Sequence, residues 1–139
     1  MNEKEFKDKT KRFGIEVIRL VDELPNKRTV EVLARQLLRA ATGVGANYRA
    51  ACRGRSKADV IAKLGVVEEE ADESRYWLEV LLEANLVSSD RIIGLLSDAD
   101  EILAMTVASI KTLRQRSEFL PQTMLAVSKI QNPKSKITQ

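Results

Sequence analysis

The chain of 139 residues has no histidine, one cysteine, three prolines, six glycines and only 4% aromatic residues. Each shortage excludes something. Without histidine, the Glu-x-x-His pairs that hold di-metal centres in helical bundles cannot be built. Cys52 likewise has no imidazole to make it a papain-like nucleophile. A lone cysteine rules out an intrachain disulfide framework and points to a reducing compartment. So few aromatics, none of them in a basic cluster on a strand, rule out the base-stacking sheets of OB-fold and RNP modules. No apolar run approaches the roughly 18 residues a membrane helix needs. The opening "MNEKEFKDKTKRF" has charge but not the apolar centre of a signal peptide. The expectation is a cytoplasmic protein that does not enter a membrane.

What is present is helical material. Apolar residues make up 44% of the chain and charged residues 31%, enough for one domain with a real core. Charge is segregated along it. Residues 1–57 carry fourteen Lys/Arg against seven Asp/Glu, residues 58–110 three against twelve, and residues 111–139 six against one. Separation of this kind suits segments that meet one another or a charged partner.

Punctuation divides the chain into four segments, about 3–24, 29–53, 56–85 and 89–117, followed by a polar, basic tail over 118–139 that reads as mobile. Pro25 breaks the first link and Thr29 is placed to cap the second segment. Gly54 is a helix stop, and Ser56 with Asp59 forms a capping-box pattern. Asn85 is the next stop, with Ser88 or Ser89 as the cap after it. Pro121 closes the last segment. Each segment bears an apolar seam in alternating steps of four and three. The seams are Phe6, Thr10, Phe13, Val17, Leu20, Leu24; then Val30, Leu33, Leu37, Ala40, Val44, Asn47, Ala51. The third is Val60, Leu64, Val67, Ala71, Ser74, Leu78, Leu81, and the fourth Ile92, Leu96, Ala99, Leu103, Thr106, Ile110, Leu113. Four such rods with short links predict an all-α, up-and-down antiparallel four-helix bundle. Asn47 on its seam is expected to be buried and to fix register, and Tyr48 to sit at the edge of the core.

Five carboxylates, Glu68, Glu69, Glu70, Asp72 and Glu73, crowd the third segment just before Tyr76 and Trp77. A metal or acid/base site finds no support, because no other segment places a carboxylate at a seam position. A solvated acidic face accounts for Glu68 and Asp72. It does not account for Val66, Trp77 and Val80 on a stripe with Glu69 and Glu73. The outer face of the second segment carries Arg35, Arg39, Arg49 and Arg53 around small residues. The expectation is therefore a homo-oligomer. The third helix of one protomer would meet the second of another, with Arg35 and Arg39 forking onto Glu69, Glu70 or Glu73 around Tyr76 and a Trp77 anchor.

"TGVGANYR" at 42–49 contains a G-x-G, but with no preceding strand and no third glycine it is not a nucleotide fingerprint. Gly43 and Gly45 instead let helices approach closely. "RGRSK" at 53–57 is a basic turn. As a solvated loop it needs no function. As an RNA or DNA contact, Arg49, Arg53, Arg55 and Lys57 join the tail residues Lys129, Lys134 and Lys136 in binding that is electrostatic and weakly sequence-specific. Arg49, Arg53 and Arg55 could depress the Cys52 thiol, against the alternative of a structural cysteine at a helix end.

The run "RQLLRAATGVGANYRAACRGRSKADVIAKLGVVEEEADESRYWLEVL" over residues 35–81 resembles the bacterial four-helix-bundle proteins encoded in 23S ribosomal RNA intervening sequences. Gln36, Arg39, Asn47, Ser56, Lys63, Glu70, Ala71, Glu73, Tyr76 and Trp77 stand at matching places, and "EADESRYWL" carries most of the specificity. Thr42, Gly43 and Val60 depart from the usual residues, as do Ala50 and Ala51, where Glu followed by Ala or Gly is frequent. The resemblance implies a ring-shaped homopentamer with no enzymatic activity and no cofactor. The chain is also similar to the accessory variability determinant of diversity-generating retroelements, a pentameric bundle thought to bind nucleic acid and reverse transcriptase. Two functions follow as expectations. One is a non-enzymatic oligomeric scaffold that binds RNA or other nucleic acid through a basic surface. The alternative is a protein-interaction module, such as a reverse-transcriptase accessory protein, with no direct nucleic-acid role.

Overall fold

Helix ends are set by local chemistry. Asn2 opens the first helix by accepting the Glu5 N–H on its side chain at 2.8 Å, and Ser56 does the same for Asp59 N–H at 3.1 Å. Each fills one of the donors that a helix start leaves unpaired. Asn85 closes the third helix in the left-handed region, at φ 59°. Its N–H reaches Leu82 O, and Leu86 N–H reaches Leu81 O, both at 3.0 Å. That pair of bonds is the Schellman pattern, and Asn tolerates its left-handed residue better than most side chains do. Thr29 is not a cap. Lys27 N–H folds back onto Pro25 O at 3.0 Å, so the chain enters the second helix one residue before Thr29.

The computed structural model describes residues 1–116. The elements are α1 (Glu3–Asp22), α2 (Arg28–Cys52), α3 (Lys57–Glu83) and α4 (Ser89–Gln115). Among the described residues there are no strands, and sequential helices pack side by side in a four-helix bundle. The expected tail, residues 118–139, lies outside the described residues.

The core runs the length of the bundle through Phe6, Phe13, Leu20, Leu37, Val44, Leu64, Leu78, Ile92 and Ile102. Each fully buried large aliphatic side chain contributes about 1.5–3 kcal/mol. Buried hydroxyls on the seams, Thr10, Ser74, Thr106 and Ser109, donate to carbonyls four residues back at 2.7–3.0 Å. They need no partner from another helix.

The seams of α1 and α3 lie where the periodicity places them, apart from a half-buried Leu24; α2 and α4 differ. In α4 the core takes Leu95, Ile102 and Ser109, while Leu96 and Leu103 are half-buried. Adjacent apolar pairs, Leu95–Leu96 and Ile102–Leu103, fit two phases equally, and the packing partner decides between them. In α2 the core adds Ala34, Ala41 and Tyr48 to the expected seam, while Leu33 and Asn47 are only half-buried. Tyr48 is not at the core edge. It is fully buried, its ring edge-to-face with Phe6 at 4.6 Å and 83°. Asn47 sets no register between helices, because its amide donates to Gly43 O on its own helix at 2.8 Å.

Candidate functional site

The α2–α3 junction gathers the charged residues that the sequence singled out. Arg39, on the α2 flank facing α3, bonds the Glu73 carboxylate directly and lies 3.6 Å from Glu70. Glu73 also accepts the Trp77 indole N–H at 3.2 Å, and Tyr76 stacks edge-on to Trp77 at 5.0 Å. Gly43 makes room for the cluster, since a methyl group there would collide with the Glu70 carboxylate. Burial pushes the Glu70 carboxyl above its ordinary range, a push partly offset by the Arg39 charge. Arg39 is half-exposed, so the ion pairs add little stability of their own. Their work is positional, because Glu73, paired with Arg39, in turn accepts the indole N–H.

Arg39, Glu70 and Glu73 meet within one chain, because antiparallel neighbours set α2 residue 39 opposite α3 residues 70 and 73. Arg35 does not join them. It lies 3.6 Å from Glu31 on its own helix. Trp77 and Val80 are half-buried against the bundle, whereas Val66 (38% exposed), Glu69 and Tyr76 (56%) face outward.

The basic turn lies at the end of the bundle where α2 stops and α4 also stops. Lys57 is not free for a ligand. Its ammonium caps α4 by donating to Arg116 O, with Arg114 O at 3.5 Å. Arg49, Arg53 and Arg55 are exposed, and α4 brings exposed Lys111 and Arg114 to the same end. Sequence reasoning missed those two, although an even number of antiparallel helices must return α4 to the α2–α3 turn. Nearby, Asp59 is held below the usual carboxylate range by Lys63 at 2.8 Å and by the Arg55 N–H. Lys129, Lys134 and Lys136 lie outside the described residues. The Cys52 thiol is not depressed by its arginine neighbours. Burial, and then the negative charge of Glu3, push it up to about 11.

A third feature had no signal in the periodicity. A groove of about 560 Å³ runs between α1 and α2. Gly14 and Gly45 bring the two backbones together at its base, where a methyl on Gly45 would stand 3.4 Å from Lys11 Cα. Ile15 and Ile18 wall it, 39% and 43% exposed. Among the described residues, no three carboxylate or cysteine side chains converge in a way that could hold a metal ion. Nor, among them, is any helix long and apolar enough to cross a membrane.

Fold and surfaces together define a four-helix bundle with a charged clamp at one junction and a cationic end. The sequence pattern of the 23S rRNA-intervening sequence proteins matches residues 2–108, and the chain belongs to that family. It is similar to the crystal structure of a protein of unknown function from the S23 ribosomal protein family of Bacteroides thetaiotaomicron. The two share 34% identity over 81% of this chain and 100% of that one, with a TM-score of 0.75. Among curated proteins, none matches this chain.

Proposed function

We propose that this chain is a non-enzymatic scaffold, in which identical bundles assemble and the cationic end of each binds RNA electrostatically. One observation carries the RNA reading: exposed Arg49, Arg53 and Arg55 share one end of the bundle with exposed Lys111 and Arg114. Phosphate neutralisation needs such a cluster and no base-reading groove. Self-assembly is supported by the outward Val66 and Tyr76, apolar side chains on a helix whose own core face is already filled. A closed ring is the assembly the reading favours, and five members is the size the resemblance implies.

Titration of a fluorescent structured RNA, followed by anisotropy, tests the reading. Binding should weaken steeply as salt rises, and the double variant Arg53→Glu/Arg55→Glu should lose at least tenfold in affinity. Binding indifferent to salt, or to that double variant, overturns it. A second reading, a module that holds a protein partner, draws on Ile93 and Val107 of α4, which are 59% and 46% exposed. Capture of the same protein with and without nuclease treatment separates the two.

A further inference from the structure

The groove between α1 and α2 and the outer face of α3 are opposites in shape and charge. The groove is concave, with apolar walls at Ile15 and Ile18 and a rim in which Lys7, Lys11 and Arg49 outnumber the one carboxylate, Asp8. The α3 face is a convex rod bearing Val66, Glu69 and Tyr76, all exposed. Their lengths agree as well. Val66 to Tyr76 spans about 15 Å of helix, and the groove follows α1 from Lys7 to Ile18, roughly 16 Å. Within one chain they cannot meet, since α1 packs beside α2 and α4, and α3 lies diagonally across from it. RNA is a poor occupant, because a phosphate backbone would satisfy the rim and leave both isoleucines wet.

From this we infer that the α1–α2 groove receives the α3 face of a second copy of this chain. Glu69 lies against Lys11 on the rim, and the Tyr76 ring lies over Ile15 and Ile18. The inference rests on the oligomeric reading above and assigns it a surface. It moves the recipient away from the Arg35 and Arg39 face, where Arg39 already serves α3 of its own chain. Because the two surfaces differ, the contact is heterologous: it adds copies in one rotational sense until the ring closes.

Light scattering on the full chain at micromolar concentration reads the outcome, with helical circular dichroism as the check on folding. The wild-type mass should be a multiple of the 15.6 kDa protomer. Lys11→Glu and Glu69→Lys are both exposed substitutions, and each should weaken assembly at least tenfold. Their combination should restore much of the loss, because the opposed charges are exchanged rather than removed. Tyr76→Ala, which introduces no charge, should also lower the mass. If the wild-type chain is multimeric and all three single variants keep its mass, this surface is wrong and the oligomeric reading stands. If the wild-type chain weighs 15.6 kDa, both fall together.

Discussion

The α2–α3 and α1–α4 junctions close the same bundle by different means. Between α2 and α3, long buried seams meet and a clamp of Arg39, Glu70, Glu73 and Trp77 lies over them. Between α1 and α4, packing is sparse. Ion pairs tie that edge: Lys9 to Glu101 at 3.0 Å, and Arg91 to Glu23 through two bonds of 2.8 and 3.1 Å. The first junction depends on excluded water and the second on exposed charge. Salt, pH and substitution should therefore act on them differently.

Breaking the packed junction should have the largest effect. Leu78→Ala leaves a cavity at a fully buried site and should cost about 2–5 kcal/mol in denaturant unfolding. Next comes the clamp. Trp77→Ala removes a half-buried indole and one of the two donors to Glu73, leaving Arg39, and should cost about 1–3 kcal/mol on the same measurement. On the other junction, Lys9→Ala should shift stability by no more than about 1 kcal/mol, and that difference should shrink as salt rises. A Lys9→Ala effect as large as that of Leu78→Ala would show the α1–α4 edge to be packed after all.

Acid separates the junctions by sign. The Glu23 carboxyl is held below its ordinary range, first by its bond to Arg91. It therefore adds stability that is complete above its unfolded value and is lost as pH falls through the lowered folded value. Burial holds Glu70 above its ordinary range. Its ionised form thus penalises the folded state at neutral pH. That penalty lifts as pH falls through the raised folded value and is gone by the unfolded one. Melting temperatures taken from neutral pH downward should show Glu70→Gln losing an early gain on acidification, and Glu23→Gln losing a later fall. The same sign for both would break the comparison. A helix end gives an effect of the same small order. Asn85→Gly should be neutral or stabilise by a few tenths of a kcal/mol, whereas Asn85→Ala should cost about 1 kcal/mol, because only the first relaxes the left-handed residue.

The sequence showed the packed junction better than the charged one. Leu64, Ala71 and Ser74 declare the α3 seam because their neighbours are polar or small, and the regular steps of three and four then carry it through Val67, Leu78 and Leu81, each of which adjoins another apolar residue. The pairs Leu95–Leu96 and Ile102–Leu103 conceal the α4 phase, since both members are apolar and only the neighbouring helix can choose. The partners within the clamp were legible as types and not as a pairing. Spacing along α3 puts Glu70, Glu73 and Trp77 near one another, but which chain supplies the arginine depends on α2 lying beside α3. Lys57 illustrates the same limit. In the sequence it belongs to a basic turn, and in space its charge is spent on the last carbonyls of α4, 57 and 59 residues away. The α1–α2 groove left no trace in periodicity, because it is defined by what Gly14 and Gly45 do not fill.

The chain has one tryptophan, and its indole nitrogen is tied to Glu73 at the packed junction. It therefore carries its own optical reporter. Loosening of the clamp, by acid or by substitution at Arg39, should redden the emission of Trp77 as water reaches the ring, while damage confined to the α1–α4 edge should leave the colour unchanged. A single cuvette could then tell which side of the bundle gives way first.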